Sequence, residues 1–135
     1  MRRSLTTLCL MLCAPLLAAC GTAGSTSTSR FTGVKREVAQ GIASLQSDAA
    51  GVEQKKVCTE DLSASVVKRL GGTKGCEAAI KRQLDQVDEL EVSVQSVNVT
   101  GTTATATVKS IHEGKNKLST LTLVKEGHAW KVSGE

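Results

Sequence analysis

The sequence predicts an α+β fold in which N-terminal helices pack on a curved antiparallel sheet. Between residues 31 and 88, apolar side chains recur every three or four positions, which is the spacing of amphipathic helices. From Glu89 onward they recur every second position, which is the spacing of strands with one buried face. Helices followed by strands that short turns connect indicate an α+β domain with a strand meander. The chain has 135 residues, enough for one small domain.

The first nineteen residues have the three parts of an export signal. Arg2 and Arg3 precede an apolar run over residues 5–19, and small residues stand immediately before Cys20. The run is shorter than the ~20 residues that a helix needs to cross the hydrocarbon core. We therefore expect residues 1–19 to be a cleaved signal peptide and not a transmembrane helix.

The residues Leu17-Ala18-Ala19-Cys20 resemble the lipobox of bacterial lipoprotein signal peptides. The resemblance implies that Cys20 becomes the first residue and carries a thioether-linked diacylglycerol and an N-acyl chain such as palmitate. No other cofactor is expected. The protein would then be lipid-anchored on the extracytoplasmic face of the cell membrane. The alternative is an ordinary secretory signal ending in Ala-x-Ala, with Cys20 incidental.

The tract after Cys20 consists of Gly, Ser, Thr and Ala and is uncharged. Such composition cannot bury apolar area and behaves as a flexible linker. We expect residues 20–30 to form the lipidated cysteine and its tether, and residues 31–135 to form the folded domain.

The charge balance gives no argument for a nucleic-acid partner. The formal charge of +4 includes Arg2 and Arg3 of the signal segment, and without them fifteen basic residues face thirteen acidic ones. Phe31 and Trp130 are the only aromatic residues. Single-stranded nucleic-acid binding uses several aromatic side chains as stacking platforms, so we exclude that class of partner.

Two cysteines remain for the folded domain once the signal segment and Cys20 are set aside. They are Cys58 and Cys76, and an even pair in an exported domain of this size predicts one disulfide. It would close a loop of 17 intervening residues and contribute roughly 3 kcal/mol in the chain-entropy model. The alternative is two buried thiols that do not meet.

Three helical segments are predicted before the sheet. The first covers residues 31–50, with Gly51 expected to end it. The second covers residues 54–70, with Thr59 as the expected N-cap. Thr73 is expected to cap the third, because the two glycines before it interrupt the helical pattern.

Four strands are predicted after the helices. The alternation over residues 90–94 shifts by one position before Val97, which predicts a β-bulge near Gln95 and Ser96. Further strands are expected over 103–108, 118–125 and 128–133. The side chains expected on one face of these strands are Ala104, Ala106, Val108, Leu121, Leu123, Trp130 and Val132.

The order of elements resembles the NTF2-like α+β cone, in particular the NTF2-like domains of small actinobacterial lipoproteins. The resemblance rests on residues 57–62, 70–72, 76–80, 94–108 and 121–132, whose last part is a Gly turn followed by Trp-Lys-Val. It covers residues 31–135 and implies a cone between helices and sheet. It also favours the Cys58–Cys76 disulfide. NTF2-like domains include enzymes, ligand binders and interaction modules, so the resemblance implies a fold and not an activity.

We expect no enzymatic activity and no metal site. The sequence has no tyrosine and no catalytic motif, and its two histidines, His112 and His128, fall beside turns. A metal site normally needs three or four donors in fixed geometry. The acidic run of Asp85, Asp88, Glu89 and Glu91 is interpreted as a solvated boundary between the last helix and the first strand.

Two classes of function remain. The expected one is an interaction module that binds an envelope protein, or a second copy of itself, through the sheet. The alternative is a carrier or sensor of a small apolar ligand in the cone, with a pocket lined by Leu90, Val108, Leu121 and Trp130. A deep pocket would favour the carrier, and a filled cone with an exposed apolar sheet patch would favour the interaction module.

Overall fold

The structure is a computed structural model that describes residues 28–87, 91–112 and 114–135. The predicted signal peptide, Cys20 and most of the predicted tether lie outside the described residues, as does Leu90. The helices are α1 (Gly33–Ala50), α2 (Gln54–Lys56), α3 (Ala64–Arg69) and α4 (Gly72–Leu84), with a π-helical turn (Val57–Asp61) between α2 and α3. The strands are β1 (Glu91–Thr100), β2 (Thr103–His112), β3 (Lys115–Glu126) and β4 (Ala129–Gly134).

The predicted α+β fold class is confirmed. The four strands form one antiparallel sheet in the order β1-β2-β3-β4, and α1 packs across its concave face. The predicted bulge is present, because the register of β1 against β2 shifts between Val94 and Ser96. A second irregularity, which the sequence pattern did not predict, lies in β3 between Thr122 and Leu123.

The single helix predicted over residues 54–70 is wrong, because the chain breaks at Leu62. Leu62 has extended backbone angles and forms a parallel bridge with Val132 of β4, and the Ser63 amide donates to the Val132 carbonyl at 2.9 Å. The edge of β4 needs partners for its backbone groups. This requirement outweighs the helical spacing of the apolar residues on either side of Leu62.

Both predicted helix caps in this region are also wrong. The Thr59 hydroxyl donates to the Lys55 carbonyl within the helical turns, and the cap of α3 is Ser63, whose side chain accepts from the Val66 amide. The N-cap of α4 is Gly71 at φ +90°, so Thr73 lies inside the first turn of that helix. Glycine adopts this left-handed backbone without the cost that a side chain would impose.

The predicted disulfide between Cys58 and Cys76 is present. Its Cα atoms are 6.0 Å apart, and both cysteines are buried. The bond joins the π-helical turn to α4, so it fixes these two helical segments to each other.

The concave face of the sheet divides into two halves. The closed half comprises residues 103–106 of β2, residues 122–126 of β3, and β4; its core side chains lie under the first half of α1. The open half comprises residues 107–112 of β2 and 115–121 of β3. In the register between β3 and β4, pairing covers only Thr122 to Glu126 of β3, so β4 does not extend along the open half.

α1 approaches β4 unusually closely in the closed half. A Cβ atom on Gly41 would lie 2.6 Å from the Trp130 carbonyl oxygen, which is closer than side-chain carbons approach backbone oxygens. Gly41 therefore weakens the helix locally but allows it to contact the sheet. Within the residues that the structure describes, no helix is long and apolar enough to cross a membrane.

Candidate functional site

The open half of the concave face encloses a cavity of about 420 Å³ between α1 and the sheet. Ligand pockets in proteins typically measure ≈ 300–1,000 Å³ and are mostly apolar. The lining comes from α1, from the segment after α4, from the first three strands and from the residue after β4: Ile42, Leu45, Gln46, Val87, Val92, Val108, Ser110, Ile111, Lys117, Ser119, Leu121 and Glu135.

The polarity of the cavity wall changes along the β2–β3 pair. Antiparallel register brings the inward-facing side chains of the two strands directly opposite each other. From the closed half to the outer end of the open half, these pairs are Ala104–Leu123, Ala106–Leu121, Val108–Ser119 and Ser110–Lys117. Along these two strands the wall is therefore apolar at its inner part and carries hydroxyl groups and a lysine at its outer end, where the apolar Val92 of β1 lies opposite Ser110.

Two of the four residues predicted to line a pocket do line this cavity. Val108 and Leu121 face it, whereas Trp130 is buried in the closed half, 4% exposed, and is not part of the wall. The Lys125 ammonium lies 5.7 Å from the centre of the Trp130 ring and 3.3 Å from the Glu37 carboxylate. Trp130 therefore serves as a core residue under α1. The fourth predicted residue, Leu90, lies outside the described residues.

Sequence reasoning missed the polar part of the wall. Lys117 falls outside the predicted strand, which begins at Leu118, whereas β3 begins at Lys115. The alternation of Leu123 and Leu121, continued backward along the chain, leads to Ser119 and Lys117. The alternation with a period of two therefore extends to Ser119 and Lys117, but these residues are polar, and a buried strand face is recognised by apolar residues.

The two histidines lie beside turns, and Asp88 and Glu89 of the acidic run lie outside the described residues. His128 is exposed in the β3–β4 turn, and His112 ends β2 beside the β2–β3 turn. Asp85 pairs with Lys81 at 2.7 Å on the surface of α4. No group of three or more metal-ligating side chains occurs among the described residues.

Asp61 is a buried carboxyl group that the sequence did not single out. It ends the π-helical turn and is 3% exposed, and its Oδ2 atom has no hydrogen-bond partner within the described residues. Its pKa is raised to about 6: burial is the main cause, the neighbouring carboxylates of Asp48 and Glu60 add to it, and a hydrogen bond from Ser44 opposes it.

Asp61 does not belong to the cavity. Its neighbours Ser44 and Asp48 lie on α1, and none of these three residues is in the cavity wall. Carboxyl groups with a shifted pKa that lie in clefts are candidates for acid–base catalysis, but Asp61 lies between two helical segments instead. Its raised pKa therefore bears on stability and not on chemistry in the cone.

A second depression of about 430 Å³ lies beside the disulfide, between the π-helical turn, α3, the start of α4 and β4. Two of the three charged groups that line this depression have partners. Lys131 donates to the Thr59 carbonyl at 2.7 Å, and the Glu126 carboxylate accepts from the Ala64 amide at 3.0 Å. These contacts connect the helical layer to β3 and β4, so the depression lies where these elements are held together.

No family model matches the chain, and no curated protein matches it. Solved structures of similar shape include Rd1NTF2_05 in a variant with five substitutions, which is 11% identical, covers 68% of this chain and 88% of that chain, and has a TM-score of 0.47. Another is a Campylobacter jejuni protein named as a candidate NTF2-like transpeptidase, 14% identical, covering 71% of this chain and 97% of that chain, with a TM-score of 0.47.

These similarities carry no argument about activity. The fold assignment rests on the chain's own elements, which are helices followed by a curved four-stranded antiparallel meander with a cavity between the two layers. These elements agree with the α+β cone that the sequence predicts.

Proposed function

We propose that this chain is a membrane-tethered, non-enzymatic binding protein that carries or senses a small, largely apolar ligand in its cone. The observation that carries the proposal is the cavity in the open half of the concave face. A cavity of about 150 Å³ already suffices to bind benzene, and this one is nearly three times that volume.

The packing of the cone supports a carrier over the interaction module that the sequence first suggested. Apolar side chains such as Ile42, Val92 and Leu121 face space that no side chain of the described residues fills. Unfilled apolar space forfeits dispersion contacts and so costs stability, unless a ligand restores them. The convex face of β2 and β3 carries mainly threonines, so it offers little apolar surface on which a partner protein could dock.

The native ligand can be tested by mass spectrometry of the folded protein. The Cys20→Ser variant of the full chain, exported and purified without detergent, should show a mass excess that disappears on denaturation. Val108→Phe should abolish the excess because the new ring occupies the cavity. Thr105→Phe places the same ring on the exposed face of the same strand and should leave the excess intact. A bare mass for the Cys20→Ser variant, also after incubation with apolar compounds, would contradict a carrier.

The tether is part of the proposal and rests on the sequence of residues 17–20. Cys20→Ser should move the protein from the detergent phase to the aqueous phase in a detergent partition experiment. Cys13→Ser lies before the expected cleavage point and should leave the protein in the detergent phase. If the Cys20→Ser protein stays in the detergent phase, the lipid anchor is excluded. In the proposed arrangement the domain lies close to the extracytoplasmic face of the cell membrane.

An interaction function remains a second candidate because of one surface feature. Leu118 is 67% exposed on the convex face of β3, in the half of that strand that does not pair with β4. An envelope protein or a second copy of this chain could use that edge. Leu118→Lys should then abolish a dimer or a crosslinked complex, whereas under the carrier proposal alone it changes neither oligomeric state nor ligand mass.

A further inference from the structure

The charges of the cavity wall are concentrated at its outer end. Lys117 and Glu135 are the charged residues in the wall, and Lys117 Nζ lies 3.9 Å from Glu135 Oε1. Both side chains are about two-thirds exposed. An exposed pair at this distance contributes little stability, and one partner can exchange for another at low cost.

The positive member of this pair is held more firmly than the negative one. Lys117 lies within β3, directly opposite Ser110 of β2 in the antiparallel register. Glu135 follows the last residue of β4 and belongs to no strand. The fixed charge at the outer end of the cavity is therefore positive.

Hydroxyl groups surround this fixed charge. Ser110 is the direct cross-strand neighbour of Lys117, and Ser119 lies two residues along the same strand, so it faces the same side. Directly opposed side chains have Cβ atoms about 5 Å apart, and diagonal neighbours are about 7–8 Å apart. An ammonium group and two hydroxyls at this spacing can donate to one group of acceptor oxygens.

We propose that the ligand is an amphipathic molecule with a single apolar chain and an anionic head group, a carboxylate or a phosphate. This inference rests on the proposed carrier function and names the ligand class of the same site. The apolar chain lies between Ile42, Val108 and Leu121, and the anion binds at Ser110, Lys117 and Ser119. The anion takes the place of Glu135 beside the Lys117 ammonium.

The test compares three probes with the same chain and different charge: octanoate, 1-octanol and octylamine. Calorimetric titration of the full-chain Cys20→Ser variant should give an affinity order of octanoate, octanol and octylamine, from tightest to weakest. Hydrogen bonds to a charged group are stronger than those to a neutral one, and solvent reduces the difference at an exposed site, so octanoate should bind roughly tenfold more tightly than octanol.

Three variants separate the roles of the charges. Lys117→Gln should bring the ratio of octanoate to octanol affinity close to one. Glu135→Gln should increase that ratio, because the competing carboxylate is gone. Lys115→Gln removes the same charge two residues away on β3, outside the cavity wall, and should leave the ratio unchanged.

The outcomes distinguish this inference from the proposed function. If none of the three probes binds, the carrier function fails. If octanol and octylamine bind as tightly as octanoate, or if Lys117→Gln leaves the ratio unchanged, the cavity binds apolar chains but the anionic head group is wrong. All three substituted residues are exposed, so loss of folding does not obscure the result.

Discussion

The closed and open halves of the concave face are built from the same two strands and differ in what covers them. In the closed half, Leu123 and Trp130 are buried under α1, which approaches β4 at Gly41. In the open half, Leu121 and Ser119 face a cavity, because β4 does not extend along that part of β3. The difference separates two properties: substitutions in the closed half should change the free energy of unfolding, and those in the open half should change ligand affinity.

The largest contrast is expected between two leucines on one strand. Leu123→Ala should lower the free energy of unfolding by about 2–5 kcal/mol, because it opens a cavity in a fully buried position. Leu121→Ala should lower it by less than about 2 kcal/mol, because Leu121 is half-buried and borders space that already exists. Urea unfolding of both variants measures the difference. Equal losses would mean that the open half is packed as tightly as the closed half.

The next effect is a pH dependence that arises from Asp61. Burial raises the pKa of this carboxyl to about 6 in the folded state, from 3.8 in the absence of the fold. Between these values the folded state binds more protons than the unfolded state, so stability falls as pH rises. The shift corresponds to a loss of roughly 3 kcal/mol between about pH 4 and pH 6.

Asp61→Asn tests this effect because it removes the ionisation and preserves the shape of the side chain. In this variant the free energy of unfolding should no longer fall as the pH rises through this range. Denaturant unfolding at several pH values measures it. Asp85→Asn, at an exposed residue of α4, serves as the control and should retain it. An unchanged profile for Asp61→Asn would show that the carboxyl is solvated in the folded protein.

A smaller effect is expected at the contact between α1 and β4. Alanine favours a helix over glycine by about 1 kcal/mol, so Gly41→Ala would stabilise an isolated helix. In this fold the new Cβ would meet the Trp130 carbonyl oxygen at 2.6 Å, and both atoms belong to rigid elements. We expect a net destabilisation of about 1–3 kcal/mol. Gln40→Ala, at the exposed neighbouring position, should change stability by less than about 0.5 kcal/mol.

Local patterns in the sequence predicted those elements that local interactions determine. The period of two placed the strands, and its one-residue shift placed the bulge between Val94 and Ser96. The disulfide followed from the number of cysteines left for the folded domain, and Cys58 and Cys76 are joined. In each case the signal lies within a few residues or in a simple count.

The features that the sequence did not predict depend on contacts between distant segments. Leu62 has helical spacing with its neighbours, but it pairs with Val132, seventy residues later. Nothing near Asp61 in the sequence indicates burial, and only its neighbours on α1 show that it is buried. The cavity likewise follows from the length of β4 relative to β3, which no local pattern encodes.

The smallest effect on stability is expected when a valine is introduced into each half of the concave face. Ala106→Val inserts two methyl groups at a fully buried position of the closed half and should cost about 1 kcal/mol or slightly more. Ser119→Val adds the same apolar group to the cavity wall of the open half, where there is room for it. Its stability should stay within about 0.5 kcal/mol of the original protein, since no existing contact is displaced.

The Ser119→Val variant should nevertheless differ from the original protein in binding. It removes one of the hydroxyl groups beside Lys117, so the ratio of octanoate to octanol affinity should fall while the protein stays folded. Thermal unfolding and calorimetric titration on the same samples separate the two effects. If Ala106→Val and Ser119→Val destabilise the protein equally, the space beside Ser119 is not available to a side chain, and the division of the concave face into two halves does not hold.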